Sequence, residues 1–223
     1  MDPAHEDEWL AWQVVDSAFP TGAFAHSYGL ESAWQHGEVD DAAALRRFLR
    51  AAILQTGMSV LPLANDAYDD PSRFARLDAV ADAFLLNPVA NRASRVHGRA
   101  LLATAMRVWP SPALEEVRRA ADRSSAHVAP VSGAAFRVLG LSRRTAQRVI
   151  VFSGARGVLS AAVRLGIAGG YEAQRLQSDC ARWLDQVLDR CGHLGVEDLA
   201  QPAPDLDLLQ AAHDRLYSRL FQS

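Results

Sequence analysis

No lysine occurs anywhere in the chain; all 23 of its basic residues are arginine. That absence excludes whole classes of chemistry. A P-loop needs the Lys of GxxxxGK[ST] to reach the phosphates, so the chain is not itself a P-loop GTPase or ATPase. Neither a Schiff-base lysine nor a pyridoxal-phosphate anchor is available. Cysteine is nearly as scarce: Cys180 and Cys191 alone, in 223 residues, build no disulfide framework and point to a reducing compartment. Long apolar runs are missing as well, since none approaches the ~18 residues of a transmembrane helix. The acidic Met1 to Glu8 segment lacks the basic-then-apolar layout of a signal peptide. A cytoplasmic protein with no membrane anchor is the expectation. The net charge of -3 gives no general attraction to nucleic acid or to an acidic membrane surface.

What is present reads as helix almost throughout. Hydrophobic residues make up 49% of the chain, and a domain of this size buries roughly 70% of its unfolded surface without needing a metal or disulfide. Leu45, Phe48, Leu49, Ala52 and Ile53 fall at i, i+3, i+4, i+7 and i+8, an apolar stripe along one helical face. Asp40 or Asp41 caps that helix and Gly57 is expected to break it. Pro71 opens the next, with Phe74, Leu77, Val80, Ala81, Phe84 and Leu85 inward. Further helices are predicted over 91–108, 114–121, 128–139, from the Ser142 cap to about Leu165, over 172–190 and over 205–220. Gln201-Pro202-Ala203-Pro204 is the one linker-like stretch. No period-two segment argues for a strand, so the expectation is an all-α, single-domain bundle of about ten helices spanning residues 1–223.

Candidate chemistry is thin. No two of the seven histidines stand at i, i+3 or i, i+4, the spacing a helical metal site requires. Cys191 and His193 form the best local pair for nickel or zinc, with His213 as a possible third ligand, yet a Cys and a His beside a helix-ending Gly are equally a packed helix end. No GxSxG occurs, and no acid, base and nucleophile set suggests an enzyme. Arg92, Arg95 and Arg99 share one helix face, which is either a solvated face or a docking face for carboxylates. Gly154, Ala155, Gly157, Ser160, Ala161 and Ala162 leave one helix nearly smooth. Glycine costs up to about 1 kcal/mol in a helix interior, so this surface gains a close approach, within the chain or across a dimer. Arg156 and Arg164 flank Ser160 on it.

Four blocks, in order along the chain, together resemble the UreF family of urease accessory proteins. Phe19 to Glu31 (FPTGAFAHSYGLE) resembles the family signature P-x-G-x-F-x-x-S-x-G-L-E. Asn91 to Leu102 resembles its arginine-bearing middle helix, Val158 to Gly166 its S-A-x-x-R-L block, and Leu216 to Ser223 its usual ending. The resemblance implies an all-α homodimer that acts as an assembly chaperone. It would work with a UreD-type protein (also called UreH) and the GTPase UreG to insert nickel into apo-urease. The chain would be adaptor and regulator, with no catalytic centre, no cofactor and no metal of its own; nickel and GTP are handled by the partners. Neither nucleic acid nor membrane is an expected partner. By the same resemblance a tail at about 205–223 docks the UreD-type partner through Tyr217, Arg219, Leu220 and Phe221. Gly22, Phe24, Glu31, Arg156 and Arg164 would lie on the dimer or GTPase-facing surface. A direct nickel or zinc carrier using Cys191, His193 and His213 is the competing reading.

Overall fold

The computed structural model describes residues 3–223, with side chains from Asp7 onward. Among these residues there is no strand. Eleven α-helices follow one another: α1 Pro3–Val15, α2 Leu30–Gln35, α3 Ala42–Gln55, α4 Leu61–Asp69, α5 Phe74–Phe84, α6 Pro88–Val108, α7 Pro112–Asp122, α8 Val128–Val138, α9 Arg143–Arg164, α10 Gly170–Cys191 and α11 Pro204–Ala212. The expected all-α bundle holds. Its helices start where side-chain oxygens can take orphan backbone N–H groups. Asp41 accepts from Ala44 (2.6 Å) and Asn87 from Val89 (2.9 Å). Ser111 and Ser142 do the same for Leu114 and Thr145, each at 3.2 Å. Proline occupies the first helical position of α6, α7 and α11, where its missing donor costs nothing.

Two boundaries differ from expectation. Gly57 does not break the chain: α3 passes through a wider π turn, Thr56–Val60, straight into α4. Pro62 explains the wider turn. It has no N–H for the carbonyl of Met58, four residues back, and that carbonyl instead accepts from Ala200 N at 3.1 Å. Gly57 serves packing, because a Cβ there would meet Val187 Cγ1 at 2.4 Å. The last helix ends at Ala212, with a short 3₁₀ turn over His213–Arg215, not at Leu220. Residues beyond it give their backbone donors to distant acceptors described below.

The core has two lobes. Leu45, Leu49 and Ile53 of α3 pack with Val158 and Leu159 of α9 and with Leu176, Trp183 and Leu188 of α10. Leu63 of α4 packs with Phe74 and Leu77 of α5, Leu101 of α6, Leu114 of α7 and Val131 of α8. Helix α9 runs between the lobes and Ile150 touches both, so this helix is apolar on opposite sides instead of along one stripe. The two glycines of α9 are spent inside the chain: Gly154 faces Thr56, and a Cβ at Gly157 would sit 2.5 Å from the Tyr28 ring. Among the described residues no helix is long and apolar enough to cross a membrane.

The tightest backbone approach joins α4 to α8, where a Cβ on Gly133 would lie 2.0 Å from the Ala64 carbonyl oxygen. Backbone cannot move aside as a side-chain tip can. Gly133→Ala is therefore expected to lose at least about 2 kcal/mol by urea unfolding. Gly140→Ala is the control, since Gly140 has open space around it and a φ of +89°. It should cost only about 1 kcal/mol, the left-handed backbone penalty.

Candidate functional site: a tail folded onto the signature segment

The signature segment reverses direction twice before α2. Gly22 (φ +73°) and Gly29 (φ +85°) take left-handed backbone conformations, and Tyr28 joins them at φ +58°. Tyrosine is strained there. Its ring is accommodated only because Gly157 of α9 has no side chain, and burial pushes its phenol up to about 12. Gly29 also carries α11 against its face, with Gln210 N 3.1 Å from where a Cβ would stand. The second turn directs Glu31, in the first turn of α2, inward instead of into solvent.

Glu31 is 2% exposed. A carboxylate so removed from water must be met by donors, and three come from the C-terminal segment. His213 Nε2 donates at 2.9 Å, Leu220 N at 2.6 Å and Phe221 N at 3.2 Å. The neighbouring signature residues continue the clasp. Gln222 N donates to the Ala25 carbonyl at 2.8 Å and Ser27 N to the Ser223 carbonyl at 2.6 Å. His26 Nδ1 and Ser223 Oγ are hydrogen-bonded at 2.6 Å, and Gln35 Nε2 donates to the Ser218 carbonyl at 2.9 Å. Arg164 lies over the Phe221 ring, 4.2 Å from its centroid, and donates to the Phe24 carbonyl. Tail, signature and the end of α9 form one unit.

This arrangement sorts the predicted residues into anchors and displayed groups. Phe221 is buried and Glu31 lies beneath the tail, pointed inward by the two left-handed turns. Displayed are Phe24 (69% exposed), Leu220 (54%) and Tyr217, which is fully exposed. Arg219 reaches Asp214 at 3.4 Å. Gly22 sits at the turn before Phe24. Arg156 is half-buried and donates to the Val15 carbonyl, tying α1 to α9; two turns along that helix from Arg164, it does not join the tail cluster. Trp34, Gln35 and Leu165 line the shallow groove beside Leu220 and Arg219, and these the sequence reading missed. Gln35 and Ser218 meet across 183 positions, and no local pattern carries that.

Two further histidines, His97 and His127, line a cavity together with His26 of the clasp. Burial, then the nearby His26, depresses the His97 imidazole to about 4. Burial, then His213, likewise lowers His26. Among the described residues, His26 Nε2 and His213 Nδ1 have no hydrogen-bond partner. His127 is bonded to Ser94 Oγ through Nδ1 (3.1 Å) and to Asp82 through Nε2 (3.0 Å). Those are the residue types of a hydrolytic triad. The backbone N–H groups that would serve an oxyanion are already taken: Ser125, Ala126 and His127 all donate to Asp78, at 2.7, 3.1 and 2.7 Å. This cluster is a capped turn holding α8 to α5 and α6.

Cys191, His193 and His213 are not gathered. Cys191 is packed in the first core lobe, and burial raises its thiol; His193 is exposed, and His213 is bonded to Glu31. Among the described residues no three His, Cys, Asp or Glu side chains stand where they could share a metal ion.

The UreF family model matches residues 39–181, well over half of the chain. The chain belongs to the UreF family. It is 37% identical over 219 residues to a protein of Oryza sativa subsp. japonica named urease accessory protein F, covering 96% of this chain and 84% of that one. The Arabidopsis thaliana protein of the same name is 36% identical over 222 residues, covering 97% and 92%. Urease accessory protein UreF of Arthrobacter sp. (strain FB24) is 32% identical over 213 residues, covering 95% of each. The signature and tail of this UreF chain lie outside the stretch matched by the family model.

Glu31→Ala should cost roughly 2–4 kcal/mol, because it strands buried donors. Hydrogen exchange should show the Leu220 and Phe221 amides unprotected while α3 and α10 stay protected. A pH effect follows from His97. Between about 4 in the folded chain and 6.5 unfolded, the unfolded chain takes a proton that the folded chain refuses. Stability is therefore highest above pH ~6.5 and declines as the pH falls toward ~4, by roughly 2–3 kcal/mol. His97→Gln should flatten much of that slope in thermal melts, leaving the smaller share from His26, which acts in the same direction.

Proposed function

We propose that this UreF chain is a non-enzymatic adaptor in urease maturation. It joins a UreD/UreH-type protein and the GTPase UreG in a complex that delivers nickel to apo-urease, with nickel and GTP handled by those partners. One observation carries the reading: Tyr217 and Leu220 project into solvent from a backbone that Glu31 and Phe221 pin down. Holding an aromatic and an aliphatic side chain out in water has no benefit to the isolated fold, whereas a pre-ordered hydrophobic pair lowers the entropy cost of docking. The names of the relatives supply the process. The second copy expected in a homodimer, and UreG, fall to the remaining displayed residues, Phe24 and Gly22, beside Arg164. Arg156 and Arg164 both donate to carbonyls of their own chain, which favours an ordering role over insertion into a GTPase site.

The test is co-expression with the UreD-type partner, read by size-exclusion chromatography with light scattering. Tyr217→Ala/Leu220→Ala should abolish the hetero-complex and leave the melting temperature within about 2 °C of the parent, since both side chains are surface groups. Phe221→Ala should lower both. A double variant that still forms the full complex would remove the tail from the docking role.

A further inference from the structure

A second surface stands apart from the displayed pair. At the corner where α5 hands over to α6, Leu86 is 86% exposed and Val96 is 44% exposed. They line an open groove together with Arg92, Arg95 and Arg99. The corner is rigid. Asn87 caps α6 and donates to the Asp207 carbonyl at 2.8 Å, and Asn91 donates to Asp82 at 3.0 Å and to the Leu85 carbonyl at 3.3 Å. Leu86 is therefore held out in water by a fixed backbone.

The charges around this groove are unbalanced. Three guanidiniums face it on one helix side, in a chain whose net charge is -3. The two carboxylates at its edges are already engaged. Asp82 takes Asn91 and His127 and feels Arg95 from further off, and Asp214 takes Arg92 and Arg219. Arg95 and Arg99 have no carboxylate within 4.0 Å among the described residues, whereas Arg92 holds both oxygens of Asp214, at 2.9 and 3.1 Å. That pair, made through Nη2 alone, shows the face already receiving a carboxylate. Leu86 and Val96 between the arginines argue against a phosphate backbone, which offers nothing apolar to cover them.

We infer that the α5–α6 groove docks an acidic protein segment, one that presents apolar side chains to Leu86 and Val96 and carboxylates to Arg95 and Arg99. Arginine suits such a site, because the planar fork loses less freedom per hydrogen bond than an ammonium does. The groove is independent of Tyr217 and Leu220, so the two readings fail separately.

The probe is a short fluorescein-labelled peptide of leucines alternating with glutamate pairs, titrated with the full chain and followed by anisotropy. Saturable binding is expected, weakened at least about tenfold by Arg95→Glu/Arg99→Glu and severalfold by Leu86→Ser. Arg95→Lys/Arg99→Lys should fall between, with an unchanged melting temperature to show that the fold is intact. The Tyr217→Ala/Leu220→Ala chain should bind the peptide as the parent does, whether or not it still forms the hetero-complex. Peptide that does not bind, binding that charge reversal leaves unchanged, or capture of fluorescein-labelled single-stranded RNA in preference to the peptide overturns the inference.

Discussion

A carboxylate taken out of water in a helical protein has few ways to recover its hydration. Glu31 recovers it from the other end of the chain: one imidazole and two consecutive backbone amides converge on its oxygens. The reverse also holds. Leu220 and Phe221 lie beyond the last helical turn, and an amide buried without an acceptor also costs free energy, though less than a carboxylate without donors. Neither partner is satisfied without the other, so the tail docks as a unit and the residues between its anchor points have a defined position. The placement of Phe24, Tyr217, Leu220 and Arg164 all depends on this exchange.

Getting Glu31 to that position requires backbone that most residues resist. Tyr28 at φ +58° and Gly29 at φ +85° make the turn, and the cost of the strained tyrosine is met by seating its ring over Gly157. The smooth surface of α9 therefore has a local purpose. Gly157 admits the ring that shapes the signature turn, and Gly154 lets α9 approach Thr56 at the π turn. What the composition of α9 left open between inner packing and a dimer face is decided, at these two glycines, for packing.

The parts of the fold legible in the sequence are those governed by neighbours. Asp41 and Ser142 cap helices because their oxygens reach N–H groups three residues on, and the stripe from Leu45 to Ile53 follows from 3.6 residues per turn. Glycine and the tail were misleading for one reason. Gly57 has the same local signature whether it ends a helix or admits Val187 of a distant one. Residues 213–220 have a passable helical pattern until Glu31, more than 180 positions earlier, competes for their amides. Of the site, the resemblance singled out Phe24 and Glu31 in the signature block and, separately, the tail residues, but not that they meet. Which of them is anchor and which is displayed was decided by pairings at long range.

One further consequence concerns how the surfaces are joined. Asp214 sits one residue beyond His213, binds Arg92 of α6 on one side and reaches Arg219 of the tail on the other. His213 itself is bound to Glu31. The short 3₁₀ turn over 213–215 thus touches the α6 arginine face and the tail clasp at once. These surface pairs are individually weak, on the order of 0–1 kcal/mol in water. Their influence lies in geometry. A ligand carboxylate that took Arg92 from Asp214 would free that side chain for Arg219 alone, drawing it toward the tail. The Glu31 hub, which takes the Leu220 and Phe221 N–H groups, keeps the tail backbone in place whichever arginine Asp214 holds.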